Sequence, residues 1–536
     1  MKAGHTPVLI VGAGYAGLTA ALLLAWRGVP CTLVERHESV SPRPKAHGIN
    51  RRSMEVLRVV EGLEADLFKA SRATPDNAAI IIAETVTGRE IQRLLEPGAK
   101  RPPLLSPVDI CHIGQNRVER TLLRYVRDLG VDVRFSTNVQ RLTLESDHVR
   151  AGLRDGVSRE EYALTADYVV AADGASSSIR SALGIDMVGD AAVSHAVSIL
   201  FEADLSTPMR GRGTVLYYLR NPAFTGAFVS CDEAGVGQIN IEYDPRRHSS
   251  ADFDEARCKK MVRDALGMPD LDVKILDRMT WTMTALVAEK MSEGRIFLAG
   301  DAVHVMPPVG GLAGQTAIQD AADIAWKLAF VLRRRAGTGL LETYEAERLP
   351  VAHTTVACQI KNYVERLRPD REDLRIHSAE ENYLSVAMGY RYRSPAIALE
   401  EQDDGGRVED PLKPSGLPGT RLAHVPLRRE GRIMSTHDLV GRGFVLLAAP
   451  EGRQWIDAAD AIARRLSLPV TTYQIGADLE DDANLFCGRT GLESDGAIMI
   501  RPDGFIGWRS RTSSVDPTSM LDAALGRMLC MEIGAG

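Results

Sequence analysis

Three strand ends carry the residues able to do chemistry. In "PVLIVGAGYAGLTAALLLAW" a β-branched run leads into Gly12, Gly14 and Gly17, spaced as G-x-G-x-x-G, and the next strand pattern, "CTLVE", ends in Glu35. In "YVVAADGASSSIR" the run ends in Asp173 and Gly174, with Ser177 and Arg180 after it. In "GRIFLAGDAVHVMPPVGGLAGQTAIQDAADIAWKLA" it ends in Asp301, ahead of Pro307, Pro308, Gly310, Gly311, Gly314 and a helical pattern. The first end, with its flanking strands, is a complete β-α-β unit. Its glycines allow a tight turn and close approach of a pyrophosphate to a helix N-terminus, whose free N–H groups and dipole favour anions. Ala13 and Ala16 complete that loop. Glu35 is placed to accept hydrogen bonds from a ribose diol, with Arg36 beside it. A glycine-rich turn that merely packs helix on strand leaves Glu35 without a purpose. The unit alone does not distinguish FAD from NAD(P).

The rest of the chain must position these ends. At 536 residues it has room for about three or four domains. Its composition, 45% apolar and 25% charged, is that of an ordinary globular protein. With 64 basic against 71 acidic residues the net charge is -7, which argues against a general nucleic-acid or anionic-membrane surface. Seven scattered cysteines without a C-x-x-C favour free thiols in a reducing cytoplasm over disulfides, zinc or dithiol chemistry, and no metal site is expected. The uncharged stretch from Val8 to Trp26 is nearly long enough to span a bilayer, but its spaced glycines and the strand after it read as a buried strand, turn and helix. The residue pattern does not specify an oligomeric state.

Taken together, the three motifs at these spacings resemble the GxGxxG, DG and GD fingerprints of the single-component FAD-dependent aromatic hydroxylases, the para-hydroxybenzoate and phenol hydroxylase superfamily. "FEADLS", "LYYLRNPAFTGAF" and "MGYRYRS" are most similar to its polyketide hydroxylases, the aklavinone 11-hydroxylase type. The resemblance implies FAD contacts at Gln115 in "IGQNRVERTLL" and at Val139 in "STNVQRL", where the backbone meets the adenine. It also implies that Asp301 holds the ribityl hydroxyls and that Pro308, Gly310 and Gly311 form the turn beneath the isoalloxazine. "KAHGINRRSMEVLR" matches a further family segment through Arg52 and Glu55, with Lys45 where an arginine is usual, so a bidentate grip becomes a point charge. Ala313 and Gln315 stand where the family usually has glycine and asparagine, which puts the contact to the flavin's pyrimidine edge in question.

The expected architecture is α/β. A discontinuous Rossmann-type FAD-binding domain (1–185 and 280–400) is interrupted by an antiparallel-sheet substrate domain (186–279), and a thioredoxin-like domain without C-x-x-C (401–536) follows the Pro/Gly-rich linker "PLKPSGLPGTRLAHVPL". With one dinucleotide fold, NADPH or NADH must bind transiently, and Arg180, Lys45 and Arg43 are candidates for its contacts. The resemblance implies that hydride reduces FAD, that dioxygen adds to give a flavin hydroperoxide, and that its distal oxygen passes to an electron-rich aromatic carbon. The cofactor carries the hard chemistry, and the helix starting near Gly314 supplies partial positive charge for the anionic reduced ring. His47 is either the base for a phenolic substrate, with an ordinary pKa of about 6.5, or a packing residue. Tyr217, Tyr218, Tyr390 and Arg391 either line the substrate cavity or are structural. Alternatives of the same class act on a simple phenol, a pyridinol or a finished antibiotic, or perform a Baeyer–Villiger oxidation. A flavin halogenase lacks its W-x-W-x-I-P segment here, and a non-catalytic flavin-bound protein that sequesters an antibiotic leaves the intact "PPVGG" turn unexplained.

Overall fold

The computed structural model describes residues 4–71, 78–96, 98, 102–206, 216–231, 233–375, 380–401 and 403–532. The strand Gly4–Val11 lies at the centre of a parallel sheet, between Glu161–Ala171 and Cys31–Val34, with Ile296–Leu298 and Asp132–Arg134 outside them. Helices cover the sheet, so its central strands are continuous apolar runs rather than alternating ones. Val8, Leu9 and Ile10 are fully buried. The helix Tyr15–Trp26 packs beside the helix Ala313–Leu332. The "VLIVGAGYAGLTAALLLAW" stretch is thus a strand, turn and helix, and no helix among the described residues is long and apolar enough to cross a membrane.

A second sheet stands against this unit. Its strand order is His304–Val305, Lys274–Ala288, Met187–Glu202, Val236–Glu242, Phe224–Ser230, Leu216–Asn221, Ile80–Ala83, Glu90–Leu95. It is larger than the expected 186–279 segment, because the β-branched run at 80–83 pairs in parallel with Leu216–Leu219. The first residues of the expected strand "GTVLYYLRN", 213–215, lie outside the described residues. One face of the sheet buries Val197, Ile199, Phe201, Tyr217, Phe228 and Ile239 in a core shared with the helix Glu255–Leu266. The other face carries Ile82, Tyr218 and Met283 toward the long helix Gly339–Arg366.

The C-terminal sheet has the order Val470–Gln474, Phe444–Ala448, Ala497–Ile500, Ile506–Ser510. Its first pair is parallel and joined by the helix Arg453–Leu466, the others are antiparallel, and the helix Pro517–Met528 packs on that same helix, a thioredoxin-like arrangement. Burial pushes the thiol of its Cys487 up, the opposite of what dithiol exchange needs. This domain docks through buried charge. Arg421 donates to both oxygens of Glu55, which also accepts from Ser106 at 2.6 Å and lies 3.5 Å from Arg52. Burial alone pushes the Glu55 carboxyl up, but Arg421, His437 and Arg52 together hold it well below the usual carboxylate range. The motif residues Arg52 and Glu55 therefore serve as an interdomain clamp. Arg421→Met, which strands Glu55, is expected to cost about 3–5 kcal/mol of stability in denaturant unfolding; a loss near zero refutes the clamp.

Candidate active site

The cofactor cradle follows from what the glycines leave out. Gly12 has φ +104°, and a Cβ there would sit 2.3 Å from the Ala172 carbonyl oxygen. A Cβ on Gly17 would lie 1.8 Å from the Gly12 carbonyl oxygen, so the turn closes only with glycine at both places. At Gly14 the nearest atom to an added Cβ is Glu119 Oε1 at 3.9 Å, which leaves that backbone open to a ligand. Glu35 has a task the sequence did not reveal. Its carboxylate accepts from Ala13 N–H at 2.8 Å and His37 N–H at 2.9 Å, pinning the glycine turn to the end of the second strand. Each oxygen keeps a lone pair for a ribose hydroxyl. Thr137 N–H donates to the Glu35 carbonyl at 2.8 Å, which starts the strand of Val139 beside the same spot, and Arg36 turns toward His37 on the exposed side. Ala16 is buried against Gly300, and Gly314 against the Tyr15 ring, so small residues let the two helix starts come together.

The third strand end is held from behind. Gly300 N–H donates to Asp320 at 3.1 Å, His304 lies 2.7 Å from the same carboxylate, and Arg348 donates to its other oxygen at 2.8 Å. Arg180, a candidate for the reductant, is instead buried and donates to the carbonyls of Ala302 and Ala175. With its backbone fixed from these sides, Asp301 turns an accessible carboxylate into a cleft otherwise walled by protein. Burial pushes that carboxyl above its ordinary value, and the charges of His304 and Lys45 pull against the shift. Asp173 is half-buried and accepts from Ser177 at 2.6 Å on one oxygen and from Ile179 N–H at 3.2 Å on the other, which starts the short helix Ser178–Ala182.

Next comes the turn Pro307–Gly311. Gly310 has φ +108° and Gly311 φ +70°, and an added Cβ on Gly310 would lie 2.6 Å from Gln359 Oε1. Gly310 N–H donates to the Tyr218 hydroxyl at 3.1 Å, and the Tyr383 hydroxyl donates to the Gly310 carbonyl at 2.9 Å. Pro308 and Gly311 are exposed, and no atom lies within 4 Å of a Gly311 Cβ, so this backbone is bare to a flat ligand. The helix after it makes its first bond from Thr316 N–H to the Leu312 carbonyl, so the preceding N–H groups have no intrahelical acceptor. The Gln315 side chain donates to Gly48 O at 2.8 Å and accepts from Asn50 N–H at 3.0 Å, which ties this helix start to the strand His47–Ile49. His47 is half-buried on that strand opposite Gly114. The Gln115 amide donates to Glu119 at 2.7 Å. Lys45 is exposed, and its charge reaches both Glu119 and Asp301.

On the substrate side, Tyr218 and Tyr217 face opposite ways, as successive strand residues must. Tyr217 is in the far core, 6.1 Å from the Phe228 ring, and so is not a site residue. Arg391 is also displaced from the site, pairing with Asp403 at 2.8 Å and Asp404 at 2.5 Å, while Tyr390 sits between Arg52 and Phe505 at the C-terminal domain. Arg43 pairs with Asp277 at 2.7 Å and ties its loop to the second sheet. The arginine the sequence reading missed is Arg366, which donates to the Tyr218 hydroxyl at 3.3 Å and lies 5.6 Å and 6.0 Å from the rings of Tyr218 and Tyr383. Gln359, Asn362 and Arg366 recur at helical spacing in "QIKNYVER", a polar stripe legible in hindsight.

These residues fit FAD, by the bare Gly14 and Gly311 backbones, the cleft-facing Asp301 and the two adjoining helix starts. A family model described as an FAD binding domain matches residues 5–359, and one described as the C-terminal part of aromatic-ring hydroxylases matches 415–530. An aklavinone 12-hydroxylase of Streptomyces purpurascens is 38% identical, over 99% of this chain and 100% of the relative. A 4-methyl-5-nitrocatechol 5-monooxygenase of a Burkholderia species is also 38% identical, over 98% of each chain. The crystal structure of an aklavinone-11 hydroxylase in ternary complex with FAD and aklavinone superposes with a TM-score of 0.93 at 37% identity, covering 99% of this chain and 100% of that one.

Two outcomes test the cradle. Asp301→Ala should weaken FAD binding about tenfold or more by fluorescence titration, the loss of a charge-assisted hydrogen bond; unchanged affinity refutes its grip. Burial pushes the Glu119 carboxyl from its ordinary 4.5 up to about 7, against the pull of Gln115 and Lys45. The folded state thus binds the proton more tightly than the unfolded chain, so stability falls as pH rises from 4.5 to about 7. Glu119→Gln should remove that fall from the unfolding midpoint against pH, and an unaltered profile refutes it.

Proposed function

The chain belongs to the FAD-dependent aromatic-ring hydroxylases, and from that premise we propose that it inserts one oxygen atom of dioxygen into the ring of a polycyclic phenol or quinone, with NADPH or NADH as reductant. FAD, when bound, accepts the hydride and activates dioxygen. The observation that carries the reading is the clasp on Gly310. Its N–H and carbonyl are taken by two phenols, one from the second sheet and one from residue 383, with Arg366 over both rings.

The clasp leaves a defined set of polar groups for a substrate. The Tyr218 oxygen already accepts from Gly310 and Arg366, so its own proton is left to donate to a substrate oxygen. The Tyr383 proton is given to Gly310, which leaves its oxygen to accept a substrate hydroxyl. The Tyr383 ring is partly exposed, but the protein around its hydroxyl pushes that phenol up to about 12, so it stays protonated while a substrate phenol ionises. Arg366 favours the phenolate, the electron-rich form that takes up an electrophilic oxygen. His47, on the strand that holds Gln315, is the candidate for receiving the phenol proton. Asp301 would hold the cofactor's hydroxyls, and the N–H groups at the helix start Ala313–Gln315 would offset negative charge on its reduced ring.

The test is NAD(P)H oxidation by the FAD-loaded protein over a panel of one-ring to four-ring phenols, with product mass and connectivity. A product one oxygen heavier with its rings intact supports hydroxylation, a ring-expanded ester or lactone the Baeyer–Villiger outcome. Oxidation that yields only hydrogen peroxide with every polycycle refutes the proposed substrate class. Arg366→Met should keep FAD, lower kcat/KM by about tenfold to a hundredfold, and move the acid limb of the pH–rate profile upward, because the phenolate loses its cation. An unshifted limb removes Arg366 from that role. For His47→Phe, an unaltered rate and pH profile leaves it a packing residue.

A further inference from the structure

The second sheet carries a row of side chains that begins at the clasp. Register aligns Tyr218 with Ala227, Ala227 with Asn240, Asn240 with Ser198 and Ser198 with Met279, one row across five strands. Within each strand the neighbours of Tyr218, Asn240 and Ser198, such as Tyr217, Ile239 and Ile199, point into the opposite core, so this row lies on the flavin side. The row starts at the clasp, where Tyr218 meets Gly310. Its second member is small, and its next two are polar.

Strands lie about 4.8 Å apart, so Asn240 is about 10 Å and Ser198 about 14 Å along the row from Tyr218. The polar members form a short ladder. Trp281 Nε1 donates to Ser198 Oγ at 2.8 Å, Ser198 donates to Asn240 Oδ1, and Gln238 Nε2 donates to the same oxygen at 3.2 Å. With Asn240 Oδ1 doubly engaged, Asn240 Nδ2 is left as a donor and Gln238 Oε1 as an acceptor. All four side chains are only half-buried, whereas farther along the strand Glu242 is covered by Tyr363 and Arg368. Among the apolar side chains Ile80, Leu216, Ala227 and Met283 on this face, the ladder sets a polar group at a fixed distance from the clasp.

We infer that this row measures the substrate: the reacting ring sits at Tyr218, the middle rings lie over Ala227, and an oxygen on the far end of a fused polycycle is bound by Asn240 and Gln238. The inference rests on the hydroxylase reading above and adds its length and polarity rule. A one-ring phenol held at Tyr218 does not reach Asn240. A bare hydrocarbon end strips water from the ladder without replacing its hydrogen bonds, a loss that disfavours it.

The test uses FAD-loaded full-length protein and two planar probes, anthraflavic acid, a three-ring quinone with a hydroxyl at each end, and its monohydroxy analogue with one end bare. Binding is read from the perturbed flavin spectrum, with phenol as the short control. Wild type should bind anthraflavic acid about tenfold more tightly than the analogue, the worth of one buried hydrogen bond. Asn240→Leu should equalise the two probes, Ser198→Ala should reduce the preference, and neither should change phenol binding. Equal binding of both probes to wild type, or a preference that survives Asn240→Leu, overturns the rule. Binding of phenol with rejection of both quinones overturns it too. Loss of FAD by wild type would instead sink the hydroxylase reading.

Discussion

Asp320 is the carboxylate on which the site depends. It is fully buried inside the helix Ala313–Leu332 and joins three segments by holding Gly300 N–H, His304 and Arg348. Burial pushes such a carboxyl up, yet the charges of Arg348 and His304 outweigh that and hold it below its ordinary value. A buried charge this well paired is costly to break from either side. Its consequence is geometric. The turn after Ile296–Leu298 is fixed against the flavin-side helix, so Asp301 and the first turn of that helix keep one spacing along a single extended ligand. Arg180 completes the hold by taking the Ala302 carbonyl from the opposite flank.

How much of this was legible follows from the range of each interaction. The three strand ends were legible because close backbone approach demands glycine or a short acid at fixed offsets, and Gly12 and Gly17 cannot carry a Cβ. The division into a parallel unit, an antiparallel sheet and a C-terminal α/β unit was legible from periodicity. The membership of residues 80–95 in the second sheet was not, because a parallel pairing across more than a hundred residues leaves no local trace. Nor was the choice between Tyr217 and Tyr218, since both faces of that sheet are covered and both side chains are buried. The side chains of Gln315 and Gln115 also bond Gly48 and Glu119, partners that only folding supplies. Glu55 belongs to the same class, its partner Arg421 lying 366 positions away.

The C-terminal domain has no C-x-x-C pair, and its buried charges tie it to the rest of the chain. Arg501 donates to both oxygens of Glu347 at 2.6 Å and 2.7 Å, while Lys327, on the flavin-side helix, pairs with Glu347 at 2.8 Å and Asp323 at 2.6 Å. Asp323, Glu347 and Asp503 lie close enough together to suggest a metal site, but Lys327 and Arg501 already supply the positive charge. The helix whose start faces the cleft is therefore gripped at two points along its length, at Asp320 and at Lys327. A domain docked through such a network acts as a brace for that helix rather than as a second site.

Bracing matters because Gly310, in the proposed reading, adjoins both the cofactor and the substrate. Its positive φ and the absence of a Cβ let Gln359 and Asn362 close behind it, while its N–H and carbonyl are held by Tyr218 and Tyr383. In the proposed reading the flavin ring lies on this turn and the substrate meets the two phenols, so a substrate that reorients either phenol shifts the turn, and a shift of the turn reaches the substrate's oxygen. The coupling needs no moving domain, only two hydrogen bonds on one peptide unit. It works only if everything else around the turn stays still, which is what the buried pairs of Asp320, Lys327 and Glu55 provide.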